Sequence, residues 1–346
     1  MASGGIAQTA HTHGARSCTP RKRKSTRYLL KSCCSTRTEE ILNNLDERVQ
    51  SSEAGGAGGG LTLASLKRVD AQWCRERDGD IATPHIVTER SASTASSTPA
   101  FDVAVCGGTL GIIFATYLKL RGHSVAVIER ASLRGRTQEW NISRKELNEL
   151  SETGVLTHTE IEECIVSEFN PVRCGFNGRF ELSVNDVLNI GVLPERLVHY
   201  VRQRFEHELG GSVFENTSIT GVEVTSKSAS VSIDDSSRPE ISTRLVLDCM
   251  GHQSPIMRQV RNGKKPDGAC LVVGSCSSGF DPNANTSGDL IYSCTDIVPQ
   301  LNCQLFWEAF PAGGSGSSSR TTYMFNYLDP KCASPERQEF LTSVAM

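Results

Sequence analysis

The sequence lacks a Cys-x-x-C pair, an apolar run of membrane-spanning length, a strong net charge and an abundance of aromatic residues. Each absence removes a class of function. Thirteen cysteines are present, but adjacent Cys33 and Cys34 have no matching His/Cys set for zinc. A disulfide framework belongs to small secreted chains, and no apolar signal segment opens this one, so the cysteines are expected to be reduced and mostly buried. The longest uncharged stretch, Val103–Leu118, falls short of the roughly 20 residues that a transmembrane helix needs; peripheral membrane contact stays compatible with that. A net charge of -3 provides no electrostatic footprint for nucleic acid.

Acidic residues are missing altogether from Met1 to Thr38, where Arg16, Arg21, Lys22, Arg23, Lys24, Arg27, Lys31 and Arg37 stand among Ser, Thr and Ala. That is the composition of an organelle transit peptide, expected over residues 1–38. A disordered tail, or a nuclear address at "RKRK", shares it. Residues 39–100 are expected to form a low-complexity leader, because "EAGGAGGG" and "TERSASTASSTPA" cannot bury enough apolar surface to offset chain entropy. One short helix, "EEILNNLDERVQ", interrupts it.

From Phe101 the pattern turns globular. "FDVAVC" and "SVAVIE" read as parallel strands buried on both faces, with a helix from about Leu110 to Arg121 between them, which makes a βαβ unit. Ser143 and Glu146 stand at capping-box spacing. "LPERLVHYVRQRFEHELGG" predicts a longer helix with Pro194 in its first turn, an apolar stripe of Leu197, Val201, Phe205 and Leu209, and a glycine stop at Gly210 or Gly211. Short strands at "SVFENT", "GVEVTS" and "ASVSID" lead to a return strand, "RLVLDCMG". Farther on, "CQLFWEAFPAG" and "RTTYMFNYLD" predict an antiparallel aromatic pair. There Trp307, Tyr323 and Phe325 either line an apolar cavity or fill a sheet core. A last capped helix is expected to start at Ser334.

The chemistry-bearing stretch is "VAVCGGTLGIIFATYLKLRGHSVAVIER". A dinucleotide turn uses glycine for a tight bend, for an open path to the pyrophosphate, and for close packing of helix on strand. Gly108 and Gly111 occupy the second and third positions. Cys106 stands in the first, with Gly107 beside it to take up unusual backbone angles. The helix start then offers amides and the positive end of its dipole to phosphate oxygens. Glu129, 18 positions after Gly111, is placed to accept from ribose hydroxyls and to repel a 2′-phosphate. Cys106 is also weighed as a reactive thiol, since a helix N-terminus lowers thiol pKa, against a plain packing substitution. The long excursion before the return strand favours FAD over NAD.

On these residues the chain resembles the flavoprotein superfamily of aromatic hydroxylases, geranylgeranyl reductases and lycopene cyclases. Within it, "CGGTLGIIFATYL", "GRTQEWNISRKEL", "FNPVRCGF" and "KPDGACLVVGSC" resemble plastid lycopene-cyclase-like proteins, over about Phe101 to Pro335. The resemblance implies an α/β hydroxylase-type flavoprotein fold, with a Rossmann-like FAD-binding domain at 101–260 and a partial antiparallel substrate domain at 261–346. It also implies a plastid location and an apolar isoprenoid or carotenoid-like small-molecule substrate, with NADPH or NADH as candidate reductant. It places Gly107, Gly108 and Gly111 along the FAD pyrophosphate, Glu129 on the adenosine ribose, Arg136 near the phosphates and Gly251 in the second flavin motif.

Two departures accompany the resemblance. Met250 replaces the second motif's aspartate, and the gap from Ser254 to Arg258 is one residue too long. The Gly-Asp pair of the third motif has no counterpart at its usual spacing; Gly288 with Asp289 comes too soon and reads as a turn. The chain is therefore expected to be truncated at its C-terminus. His252 would lie beside the flavin as a proton donor or stand as a simple loop residue, and Glu160, Glu162 and Glu163 would sit on a short solvated helix. No catalytic base is identified. A rival from another class is a non-catalytic nucleotide-binding or scaffold protein with degenerate flavin motifs.

Overall fold

The computed structural model describes residues 64, 67–68, 71–75, 82–91, 98–136, 138–176, 179–293, 295–297 and 303–328, all within the unit Ser32–Met346. The expected transit peptide, Cys33, Cys34, the helix "EEILNNLDERVQ" and the Ser334 helix lie outside these residues.

Strands β1 (Val87–Glu89), β2 (Phe101–Cys106) and β3 (Val125–Ile128) are followed later by β9 (Ser212–Phe214), β10 (Ile219–Val224), β11 (Ala229–Ile233) and β12 (Glu240–Asp248). They form a seven-stranded sheet in the order β1-β10-β11-β12-β2-β3-β9. Helix α1 (Gly111–Leu120) joins β2 to β3, which pair in parallel. The return strand β12 lies parallel on the other side of β2. β2 and β3 read as continuous apolar runs because both their faces are covered. Val103, Val105 and Val127 pack with Ile112 of α1 and with Leu197, Val201 and Phe205. Ala104, Cys106, Ala126 and Ile128 pack with Val222, Val231 and Ile241.

The long helix α2 of the second layer, Pro194–Gln203, continues into a π-helical turn at Arg204–Glu208. Before it in the chain come two short helices, Arg144–Glu152 and His158–Cys164, each closed by a capping box: Ser143 with Glu146, and Thr157 with Glu160. Glu160 is thus a capping residue as well as a solvated one. Three further strands, β4 (Trp140–Ile142), β8 (Ile190–Val192) and β5 (Ile165–Glu168), make a small sheet in the order β4-β8-β5.

The third sheet has the order β13-β16-β15-β14-β6-β7, from β6 (Val172–Phe176), β7 (Phe180–Val184), β13 (Ala269–Ser278), β14 (Gly288–Ser293), β15 (Leu305–Ala312) and β16 (Ser319–Leu328). All its pairings are antiparallel except β14 with β6. Two of its strands come from 101–260 and four from 261–346, so the two ranges interleave in space.

Two local expectations are corrected. The leader range 39–100 contributes β1, because Gln259 clamps it: Oε1 accepts from the Ile86 and Val87 N–H groups at 2.8 and 2.7 Å, and Nε2 donates to the Val87 carbonyl at 2.7 Å. Gly288 and Asp289 are strand residues, not a turn. A Cβ on Gly288 would lie 2.4 Å from the Phe169 ring, and the buried Asp289 carboxylate holds Arg173 at 2.7 Å and the Trp307 indole N–H at 3.1 Å. Among the described residues Cys106, Cys164, Cys174, Cys249, Cys270 and Cys276 are free thiols, no helix is long and apolar enough to cross a membrane, and no His/Cys/Asp/Glu group could hold a metal.

Candidate functional site

The corner after β2 is shaped by three glycines with different reasons to be glycine. Gly107 has φ +97°, and a Cβ there would lie 2.5 Å from the Cys249 carbonyl oxygen. Both the backbone angle and the closeness of the return strand exclude a side chain. At Gly111 a Cβ would come 2.7 Å from Val105 Cγ1, so this glycine seats α1 on β2. Gly108 is different from its assigned role of leaving an open path: its missing Cβ would meet Leu133 Cδ1 at 2.4 Å, so the side chain of a buried leucine occupies that space.

Cys106, in the place of the usual first glycine, is fully buried, and burial pushes its thiol up to about 12. Asp248 and Cys249 push in the same direction. A thiol held neutral this way is a packing group and no nucleophile. The helix dipole nearby does not outweigh the loss of hydration.

Glu129 faces the corner. Its Oε2 accepts from the Gly108 N–H at 2.8 Å and its Oε1 from the Ala131 N–H at 3.1 Å. The backbone on each side of it is tied down, since Glu129 N–H donates to Phe214 O at 2.8 Å and Thr217 N–H donates to Glu129 O at 3.0 Å. Glu215 extends the support. It accepts from the Leu133 N–H at 2.5 Å and takes both terminal nitrogens of Arg202 at 2.8 and 2.9 Å. Helix α1 begins at this corner with no side-chain cap and no acidic residue in its first turn, which leaves the positive end of its dipole uncompensated.

Arg136 is not brought to the corner's hydrogen bonds. Its Nε and Nη2 each donate, at 3.0 Å, to the Gln138 and Glu139 carbonyls of its own loop. Gly251 has φ +64° and opens a 3-10 turn directly after Met250, whose N–H lies close to Gly107. Sequence reasoning missed the organising acid here. Asp248 Oδ1 accepts from Met250 N–H at 3.1 Å and Oδ2 accepts from Ser254 Oγ at 2.5 Å, while Ser254 Oγ caps the next helix by accepting from Met257 N–H at 3.0 Å. A strand-ending acid followed by Ser-Pro at a helix start is a signal that could have found it. His252 lies exposed on the 3-10 turn.

A second constellation lies on the six-stranded sheet, reached by the loop that leaves Glu129. Glu139 Oε1 accepts from Thr321 Oγ1 at 2.6 Å. Register puts Gly274, Tyr323 and Glu308 in one row across β13, β16 and β15, with Val272, Phe325 and Phe306 in the next. These rows share a face, because alternate residues of a strand point the same way. Trp307 belongs to the opposite face, stacked on Tyr292 and bonded to Asp289, so it does not join Tyr323 and Phe325 as expected.

No family model matches the chain, and no curated protein does. Similar solved structures include FqzB (14% identity, TM-score 0.49, covering 70% of this chain and 56% of that one). Another is a flavoprotein/dehydrogenase from Cytophaga hutchinsonii (14%, 0.47, 71% and 61%), and a third is pqsL, a probable FAD-dependent monooxygenase from Pseudomonas aeruginosa (17%, 0.45, 65% and 60%). The chain spans less than two thirds of each. Likeness this distant carries no weight for activity, and the site stands on its own geometry.

Proposed function

We propose that the chain is a FAD-binding oxidoreductase, or a flavin-dependent cyclase, that acts on an apolar isoprenoid-like substrate. The observation that carries this reading is Glu129, whose carboxylate is held at the Gly107–Gly108 turn, at the C-terminal end of adjacent parallel strands, beside an uncapped helix start. The corner fits the adenosine diphosphate part of the cofactor. A glycine turn and the first amides of α1 would face the pyrophosphate, and Glu129 would exchange its bond to Gly108 for ribose hydroxyls. Bound FAD supplies electron or hydride transfer that side chains cannot perform. The chain's own residues bind and orient: Glu215 and Arg202 fix the loop behind Glu129, and Asp248 fixes the return-strand turn.

The plastid location belongs to the same reading and is supported by the basic, acid-free stretch 1–38. NADPH or NADH as reductant also remains part of it. The second reading, a non-catalytic protein, is favoured by one observation: Leu133 fills the space over Gly108, so packing alone explains that glycine.

Titration with FAD decides between them. The purified chain is expected to take up FAD, read as quenched flavin fluorescence, and Glu129→Ala is expected to weaken uptake about tenfold, the worth of one charge-assisted hydrogen bond. No uptake by wild type removes the flavin reading, and equal uptake by both removes Glu129 from the binding site.

A further inference from the structure

Glu308 is an outlier on its surface. It lies on β15 in an otherwise apolar face, with Phe306 and Phe310 two residues away on either side along the strand and Tyr323 directly opposite. Phe306 stacks on Phe325 with centroids 5.5 Å apart, and Phe176 meets Phe306 edge-on at 6.2 Å. Phe310 is buried and packs on Phe169 at 5.4 Å. Glu308 has no hydrogen-bond or ion-pair partner among these groups. The Tyr323 hydroxyl is buried and equally without a partner.

A buried polar group without a partner costs stability, commonly a few kcal/mol, and such a cost needs an explanation. The Tyr323 hydroxyl is such a group, and the half-buried Glu308 carboxyl stands beside it on the neighbouring strand, with Cβ atoms about 5 Å apart. The face continues outward through Val272, Phe180 and Tyr327, which are 55%, 56% and 61% exposed. Large exposed apolar area of this kind marks a binding surface.

We propose that this face binds an elongated apolar ligand that carries one carbonyl oxygen, and that Glu308, as the neutral acid, and Tyr323 both donate hydrogen bonds to that oxygen. A carbonyl has two lone pairs and no proton, which matches two donors. A ligand carboxylate would bring a charge beside Glu308, and a pure hydrocarbon would leave both donors unpaired. The aromatic rows on β15 and β16 take the apolar body.

Burial raises Glu308 to about 7, which keeps its proton available below neutrality. The titratable or charged groups near the pair are Cys276 in the next row of the same face, and Glu139 and Arg136 on the loop packed over it. β14 contributes only the apolar Leu290 from its side. Burial raises Tyr323 to about 12 and raises Cys276 too, so neither ionises over the range in which Glu308 does.

The proposal takes up the apolar-substrate part of the reading above and does not depend on flavin. The test uses the full chain without added FAD, with geranylacetone as the carbonyl probe and a hydrocarbon of similar length without oxygen as control, both followed by calorimetry. Geranylacetone is expected to bind about tenfold more tightly than the hydrocarbon, the worth of one to two neutral hydrogen bonds. Tyr323→Phe and Glu308→Ala should each remove most of that difference. Wild-type affinity for the ketone should fall as pH rises from 6 to 8.5, whereas Glu308→Gln, which keeps a donor, should bind it with no pH dependence. Thermal unfolding checks that each variant folds, and wild-type pH dependence alone keeps the test valid where one does not. Equal binding of ketone and hydrocarbon, a flat wild-type pH profile, no binding of either, or a dimer that covers this face in light scattering overturns the proposal. A failure to take up FAD leaves these outcomes unchanged.

Discussion

Among the described residues, Glu308 is the one carboxyl held above its ordinary value, while Asp102, Glu146, Glu215 and Asp235 are held below theirs. The folded-state pKa of Glu308, about 7, lies above the ordinary 4.5, so the native state holds the proton more tightly than the unfolded state. The resulting stabilisation is complete below the unfolded pKa and is lost as pH rises through 7. Unscreened, a shift of this size is about 3 kcal/mol; partial exposure of the side chain brings it to about 2 kcal/mol. Urea denaturation at pH 5 and pH 8 should therefore show wild type losing about that much more than Glu308→Gln. Parallel losses in the two proteins would mean that the carboxyl is hydrated. Cys106 makes the contrasting case. Its role as a packing group is legible in sequence, because Gly107 next to it supplies the φ that the turn requires, whereas nothing local to "FWEAFP" shows that Glu308 stands without a partner.

At the scale of elements, what is legible is what is local. The βαβ unit, the Ser143–Glu146 capping box, the Pro194 helix start and the β15–β16 pair all depend on residues within a few turns or one hairpin of each other, and each is present. Asp289 shows where that reading stops. As "SGD" it carries the composition of a turn, yet it becomes a strand residue because Arg173, 116 positions away, meets it at 2.7 Å. Arg320 adds a longer contact at 3.7 Å. Removal of the acid leaves two guanidinium groups and an indole N–H facing a site that is 7% exposed. Asp289→Ala is expected to cost about 2 to 3 kcal/mol, less than a fully buried pair because Arg173 is partly hydrated. A chemical denaturation midpoint unchanged from wild type would show that the ion pair contributes nothing net.

For the whole molecule, the interleaving of the third sheet decides how the chain folds. β6 and β7 precede the long helix and the return strand, while β14, the partner of β6, follows both, so the sheet closes across a long stretch of chain. Such long-range pairing carries the loop-closure cost that slows folding. The sequence ranges 101–260 and 261–346 describe chain order and not folding units. Expressed alone, 101–260 would expose the apolar side of β6 and β7, with Val172 stripped of Leu290 and Phe310 and Phe176 of Phe306, and an unpaired strand edge at β6. It is expected to aggregate, as judged by sedimentation, and 261–346 alone to give no cooperative unfolding. Coexpression of the two pieces should restore a soluble complex, because every strand pairing except that of the edge strand β1 with β10 is then available. A soluble 101–260 fragment with cooperative unfolding would show that the corner after β2 folds without the third sheet, and would place the unit boundary where chain order alone puts it.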